Sequence, residues 1–343
     1  MTSEIPGLPA AAISNLEAAL KTATAGRELP LYRIMAYQLG LMDENGETLP
    51  GASAPPRLHG ELAMASAQAA GGEFRAAVPC AVAVELISNF WQIHVDVEDG
   101  NTERAGRPSV WWTWGPAQAI NAGDGMHALA RLALFSLRGE GLALEDASLA
   151  LRLLDEATLR LCEGEYLDIT YQERLKVQAD EYLTMAEARS GALFGCAAHM
   201  GASMARLTVE RASLFGEFGT KLGLARQVAL DIEAFWGKGQ RDQTQQGRLI
   251  AKKKSLPLTH ALSSADATTR RKLGDLYVQR VLDPEAIKAV AEMLDGCGSR
   301  RFAEDTLARL LADADAALTA AALDRRGTEL LRALARRIAT ARA

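Results

Sequence analysis

Along its 343 residues the chain places apolar side chains at the three- and four-residue spacing of a helix face, and nowhere at the two-residue spacing of a half-buried strand. That absence constrains the fold most, because a sheet with one buried face needs alternating segments. The expectation is an all-α protein. Composition agrees: alanine and leucine dominate, and only 6% of residues are aromatic. The spacing predicts helices over 9–24, 31–42, 60–70, 74–98, 115–137, 144–172, 178–204 and 208–236. A further helix is opened by Asp283 as N-cap with Pro284 in its first turn, and an amphipathic stretch runs from Ser299 to the end. DENGETLPGASAPP (43–56) has the Gly, Pro, Asn and Ser density of a loop, and the polar, Gly-broken stretch 237–255 reads as mobile. The organisation expected is a pair of helices and a loop, 1–54, forming one structural unit with a helical domain, 55–343.

The net charge of −5 leaves no overall basic field for nucleic acid or an anionic membrane surface, so any phosphate chemistry has to come from local clusters. The longest apolar runs are interrupted by Glu85, Arg131 or His199, and no transmembrane segment is expected. The N-terminus MTSEIPGLPA lacks the basic start and apolar core of a signal peptide. Cys80, Cys162, Cys196 and Cys297 are scattered and form no CxxC pair, which points to a reduced, cytoplasmic chain.

Three clusters can carry chemistry. The first is His94-Val95-Asp96-Val97-Glu98-Asp99, at the end of an apolar helix. Asp96 and Asp99, three apart, lie near one helix face and suit a hard divalent cation such as Mg²⁺. Arg104 and Arg107 follow closely, and guanidinium groups match phosphate oxygens bidentately. The other reading of the same residues is a charged helix end running into a solvated loop. The second cluster holds Asp231 and Glu233, whose spacing of two puts them on different faces. The third is the basic run Arg248, Lys252, Lys253 and Lys254, which is either an anion clamp or a solvated loop.

These residues also carry a resemblance. AVELISNFWQIHVDVEDGNTERAGRPSVW (83–111) is similar to the first aspartate-rich region of the trans-isoprenyl diphosphate synthases, the polyprenyl synthetase family, AVELIHxxxLIHDDxxDxxxxRRGxPxxH. GPAQAINAGDGMHALA (115–130) resembles the helix that follows, GEYLDI (164–169) the family's GQxLDL, and RSGALFGCAAHMGA (189–202) its KTGxLFxxxxxxGA. LGLARQVALDIEAFWG (222–237) resembles the second aspartate-rich region, GxAFQxxDDxxD, and KKKSLPL (252–258) the GKxTLP after it. The resemblance implies a single-domain class I isoprenoid synthase fold, long helices around a central cavity, and a homodimer. It also implies an allylic prenyl diphosphate bound through Mg²⁺ and extended with isopentenyl diphosphate.

The departures narrow that expectation. The leading aspartate of the first DDxxD is Val95, and the second motif reads Leu230-Asp231-Ile232-Glu233-Ala234. The acceptor motif GKRxRP falls on Pro55-Pro56-Arg57-Leu58-His59-Gly60, the histidine of ELIH is Ser88, and the second arginine of RRG is Ala105. By resemblance, Asp96, Asp99 and Asp231 are the catalytic metal ligands, and Arg104, Arg189, Lys253 and Arg57 hold diphosphate. Phe90, Trp91 and Gln227 line the cavity, with Phe90 and Trp91 favouring a short substrate of about ten to twenty carbons. The leading expectation is a terpene synthase or prenyltransferase acting on an allylic diphosphate without isopentenyl diphosphate. The alternatives are a non-catalytic subunit of a heteromer with an intact prenyl synthase, and an elongating synthase with unusual ligands.

Overall fold

The computed structural model describes residues 8–49, 55–137, 144–174, 176–237, 253–278 and 284–340. The helices are α1 (Ala11–Thr24), α2 (Pro30–Gln38), α3 (Leu58–Ala69), α4 (Val78–Asp99, after a 3₁₀ turn at Phe74–Ala77), α5 (Val110–Trp114), α6 (Pro116–Phe135) and α7 (Leu144–Glu173). They continue as α8 (Ala179–Ala186), α9 (Ala192–Ser203), α10 (Val209–Trp236), α11 (Leu256–Ser264), α12 (Ala267–Val278), α13 (Pro284–Gly296), α14 (Ser299–Ala320) and α15 (Arg325–Thr340). The all-α expectation holds, and most of the helices predicted from spacing are present.

Three differences have local causes. A two-residue hairpin, Glu103–Arg104 against Arg107–Pro108, follows α4; strands this short leave no periodicity to detect. The predicted helix 178–204 is interrupted by a π turn at Glu187–Gly191. Helices α11 and α12 were not anticipated, because the basic run and polar residues around them mask their apolar faces. Of the stretch 237–255, Arg248 and Lys252 lie outside the described residues, as do Asp283 and residues 50–54 of the first loop.

The centre is built from α3, α4, α9 and α10. Helix α10 lies along α9 and α14, α4 lies between α3 and α6, and α3 crosses α9. α3 is apolar nearly all round and ten of its twelve residues are buried, as expected for a helix with neighbours on every side. Leu62, Met64, Ile87, Phe215 and Phe218 are among the largest side chains in this core. The stretch Phe74–Asp99 is long and apolar enough to cross a membrane by length and composition, but 72% of its most apolar window is buried inside the protein. It also carries the buried polar side chains Glu85, Asn89 and Asp96.

The N-terminal helices belong to the same body: α1 packs on α4 and α3, and α2 on α6. The C-terminal helix α15 lays Leu330, Leu331, Leu334 and Ile338 into the main core and packs on α3 and α10.

Helix α4 ends because Gly100 adopts a left-handed conformation, φ 68°, and its N–H bonds back to the Asp96 carbonyl. The hairpin then turns through Ala105 (φ 50°) and Gly106 (φ 73°), which returns the chain toward the helix end. This cap and turn decide where Arg104 lands.

Candidate active site

A cavity of about 260 Å³ lies between α2, α4, α9, α10 and the segment before α11. Leu161, Leu193 and Phe194 supply part of its apolar wall, and Ser88, Asn89 and Gln92 a polar one. Seven arginine and lysine side chains line it against two carboxylates, Glu85 and Asp231, although the chain as a whole is acidic.

Beside this cavity four distant segments converge on one buried ionic cluster. Glu165 and Asp168, three apart on α7, share a face. Lys253 Nζ sits 3.0 Å from Asp99 Oδ1, 3.1 Å from Asp168 Oδ2 and 3.5 Å from Glu165 Oε1. Arg189 Nε donates to Glu165 Oε2 at 2.8 Å and lies 3.5 Å from Asp168 Oδ2. Burial works to lower the Lys253 pKa, but Asp168, Asp99 and Glu165 outweigh it and hold the ammonium above its ordinary value. The cluster is therefore charged.

Arg189 is aimed by the π turn that carries it; such a turn inserts a residue into the helix and re-aims its neighbours. Gly164 makes room for it, since a Cβ there would stand 2.4 Å from the Arg189 backbone nitrogen. Trp91 braces the guanidinium from the other side. Its ring centroid lies 4.9 Å from Arg189 Cζ, and its Nε1–H donates to Glu165 Oε2 at 3.0 Å. Gln227 Oε1 accepts from Ser190 Oγ at 2.9 Å and from Arg189 Nη1 at 3.4 Å.

The three carboxylates expected to share Mg²⁺ are engaged separately. Asp96, 1% exposed, takes a bidentate pair from Arg104, Nε to Oδ2 at 2.8 Å and Nη2 to Oδ1 at 2.6 Å, with Asn101 adding a third bond. Burial raises the Asp96 pKa, and the Arg104 charge opposes it. Asp99 faces Lys253. Asp231 accepts from the Tyr182 hydroxyl, from Leu256 N–H at 2.8 Å and from Gln227 Nε2 at 2.9 Å. It thus anchors the first residue of α11 to α10. Among the described residues no group of three or more His, Cys, Asp or Glu side chains is arranged to hold a metal ion.

Two further expectations meet a different geometry. Arg57 lines the cavity, yet it is 2% exposed and its guanidinium bonds Glu17 at 2.7 and 3.2 Å and the Leu39 carbonyl at 2.6 Å. Phe90 is not among the lining residues; it stands edge-on to His94 at 4.7 Å and beside His127 on α6. The reason is helical phase: Phe90 and Trp91 are adjacent, so they point about 100° apart, and Trp91 has the cavity side.

Sequence reasoning missed Tyr182, Glu17 and Arg226. Arg226 left a signal, because it stands where the GxAFQ pattern has phenylalanine. Lys254 lines the cavity, and burial together with the Arg174 charge lowers its pKa. Tyr182 and Glu17 left none.

A profile of the family described as polyprenyl synthetase matches residues 56–294. A (2E,6E)-farnesyl diphosphate synthase of Mycobacterium tuberculosis is 32% identical over 274 residues, 79% of this chain and 75% of its own. A geranylgeranyl diphosphate synthase of the same species is 36% identical over 250 residues, covering 72% and 69%. A crystal structure of a polyprenyl synthetase from Streptomyces coelicolor superposes with a TM-score of 0.86 at 30% identity, over 98% of this chain and 99% of that one. A polyprenyl synthase from Caulobacter crescentus, complexed with calcium and isoprenyl diphosphate, superposes with a TM-score of 0.79 at 25% identity, over 100% and 99%.

Two measurements follow from this geometry. Asp231→Ala orphans the Leu256 N–H and the Tyr182 hydroxyl, and should lower the unfolding free energy of the metal-free protein by about 2–4 kcal/mol. Chemical denaturation reads it; an unchanged midpoint would mean that Asp231 anchors nothing. Burial pushes the Glu85 carboxyl up to about 7, against the Arg57 charge and the bond from Gly60 N–H. A carboxyl raised above its unfolded value of 4.5 stabilises the fold below that value and loses the contribution as pH rises to 7. Glu85→Gln keeps the acceptor for Gly60 and removes the slope, so the variant should gain on wild type between pH 4.5 and 7, by about 1.4 kcal/mol for each unit of the shift, and run parallel above it. Thermal melts across pH test this.

Proposed function

The chain belongs to the polyprenyl synthetase family, and from that premise we propose that it turns over an allylic prenyl diphosphate of about ten to twenty carbons without isopentenyl diphosphate as second substrate. The prenyl cation closes on itself and is then quenched by loss of a proton or by capture of water with loss of a proton, as in a terpene cyclase, or passes to another acceptor. The observation that carries this reading is the state of Arg57: the one cation kept from the acceptor motif is committed to Glu17 and a backbone carbonyl. The neighbouring positions hold Pro56, His59, Ser88 and Ala105. His59 is buried, and burial with the Arg226 charge lowers its pKa to about 3, so it is a neutral imidazole. A second diphosphate placed there meets few of the charges that its desolvation requires.

The donor end is supported differently. Lys253 and Arg189 line the cavity and are held by Asp99, Glu165 and Asp168, so their charge is positioned before a ligand arrives. When the allylic C–O bond breaks, the electron pair leaves with the diphosphate, and these two cations take up the growing negative charge. Leu161, Leu193 and Phe194 offer an apolar surface to the hydrocarbon and exclude water from the cation. Trp91, whose ring already holds Arg189, acts by orienting that arginine.

The residues present do not fit the magnesium site that the family implies. Asp96 is closed by Arg104, Asp231 by its three donors, and Asp99 meets an ammonium. The compartment proposed with this reading is the cytoplasm and the assembly a homodimer, both on the family alone.

The test is incubation with geranyl, farnesyl and geranylgeranyl diphosphates, each with and without isopentenyl diphosphate, following diphosphate release and organic products. A hydrocarbon, alcohol or acceptor adduct formed without isopentenyl diphosphate is the expected result. A longer prenyl diphosphate formed only with isopentenyl diphosphate would overturn the proposal in favour of elongation. No product in any tube would favour the non-catalytic subunit, and capture of an intact prenyl synthase would then decide.

A further inference from the structure

Charges around the cavity are layered. Lys253, Arg189 and Arg104 line it, whereas the carboxylates they bind, Asp99, Glu165, Asp168 and Asp96, do not. Asp96 and Asp168 are 1% and 0% exposed. Two carboxylates, Glu85 and Asp231, do line the cavity, but they stand among seven arginine and lysine residues, so a ligand entering it meets a mainly cationic lining. A divalent ion bridging carboxylate to phosphate needs the reverse arrangement, carboxylate oxygens open toward the ligand at about 2.1 Å from the ion. To reach these oxygens it would have to expel buried cations that each answer two or more charged or polar partners.

The sequence is consistent with this layering. Val95, Leu230 and Ala234 stand where the aspartate-rich patterns have carboxylates, so the anions that would attract a metal are fewer, while Arg104, Arg189 and Lys253 remain as cations. Arg189 also replaces the lysine of the KTG pattern by a group that reaches two carboxylates and Gln227 at once.

Resting on the reading that the cavity takes a prenyl diphosphate, we infer that this chain grips the diphosphate with its own cations, Lys253 and Arg189 foremost, and binds it without a divalent metal. The carboxylates serve to hold those cations, and are positioning residues rather than metal ligands. Their negative charge opposes the ligand, and removing one of them strengthens diphosphate binding instead of abolishing it.

The experiment is calorimetric titration of the full-length protein with farnesyl thiolodiphosphate, an unreactive analogue, in excess EDTA and in millimolar MgCl₂. The two dissociation constants should agree within about threefold. Asp99→Asn keeps the shape of the Lys253 contact but removes its charge, and should tighten binding by about two- to fivefold. Lys253→Met should weaken it by about tenfold or more, with near-ultraviolet circular dichroism confirming a folded protein and Lys253→Arg restoring part of the loss.

Mn²⁺ uptake, followed by electron paramagnetic resonance, gives a readout independent of turnover, and no analogue-dependent uptake is expected. Binding that requires Mg²⁺, analogue-dependent Mn²⁺ uptake, or a tenfold loss in Asp99→Asn overturns this inference and leaves the proposed function standing. Absence of binding in both buffers overturns the two together.

Discussion

The buried ammonium of Lys253, set among Asp99, Glu165 and Asp168, is the interaction on which the site depends. It joins the end of α4, the middle of α7 and the start of α11 at a single point, and Arg189 adds the π turn before α9. Charges this deeply buried are costly to desolvate, and only their mutual geometry offsets the cost. Loss of one member leaves the others unpaired, at about 3–5 kcal/mol for an ordinary buried pair. The cluster therefore ties four segments to one point.

A second lock of the same kind lies a turn away. Asp96 and Arg104 form a bidentate pair made possible by the Gly100 cap and the tight hairpin after α4. Asp231 completes the frame from α10, holding the Leu256 N–H and so the segment in which Lys253 and Lys254 stand. In each case a carboxylate of the aspartate-rich patterns has a protein group as its partner. The positions beside them that the aspartate-rich patterns fill with carboxylates, 95, 230 and 234, are apolar here.

The two ends of the cavity differ in how their cations are held. At one end Lys253 and Arg189 line the cavity and are held by Asp99, Glu165 and Asp168. At the other end Arg57 is turned onto Glu17 of α1, and Arg107 stacks on Tyr37 while donating to the Tyr37 and Met42 carbonyls. The N-terminal helices are therefore part of the site: α1 supplies the carboxylate that holds Arg57, and α2 places Tyr37 and Gln38 on the cavity wall.

Periodicity and motif order determined much by themselves. Helical spacing sufficed for the all-α fold and most helix positions, because a face repeated every three or four residues is legible without any partner. Motif order singled out Asp99, Arg189, Lys253, Trp91 and Gln227 as site candidates. Only the tertiary structure decided which atoms each of them meets. Whether Asp99 meets a metal or an ammonium, whether Arg57 is open or spent, and whether Phe90 or Trp91 has the cavity side depend on contacts such as Glu17 with Arg57, 40 residues apart, and Tyr182 with Asp231, 49 apart. Such pairs leave no local pattern. A side chain's charge is set by its type, but its availability is set by the partner that folding places beside it.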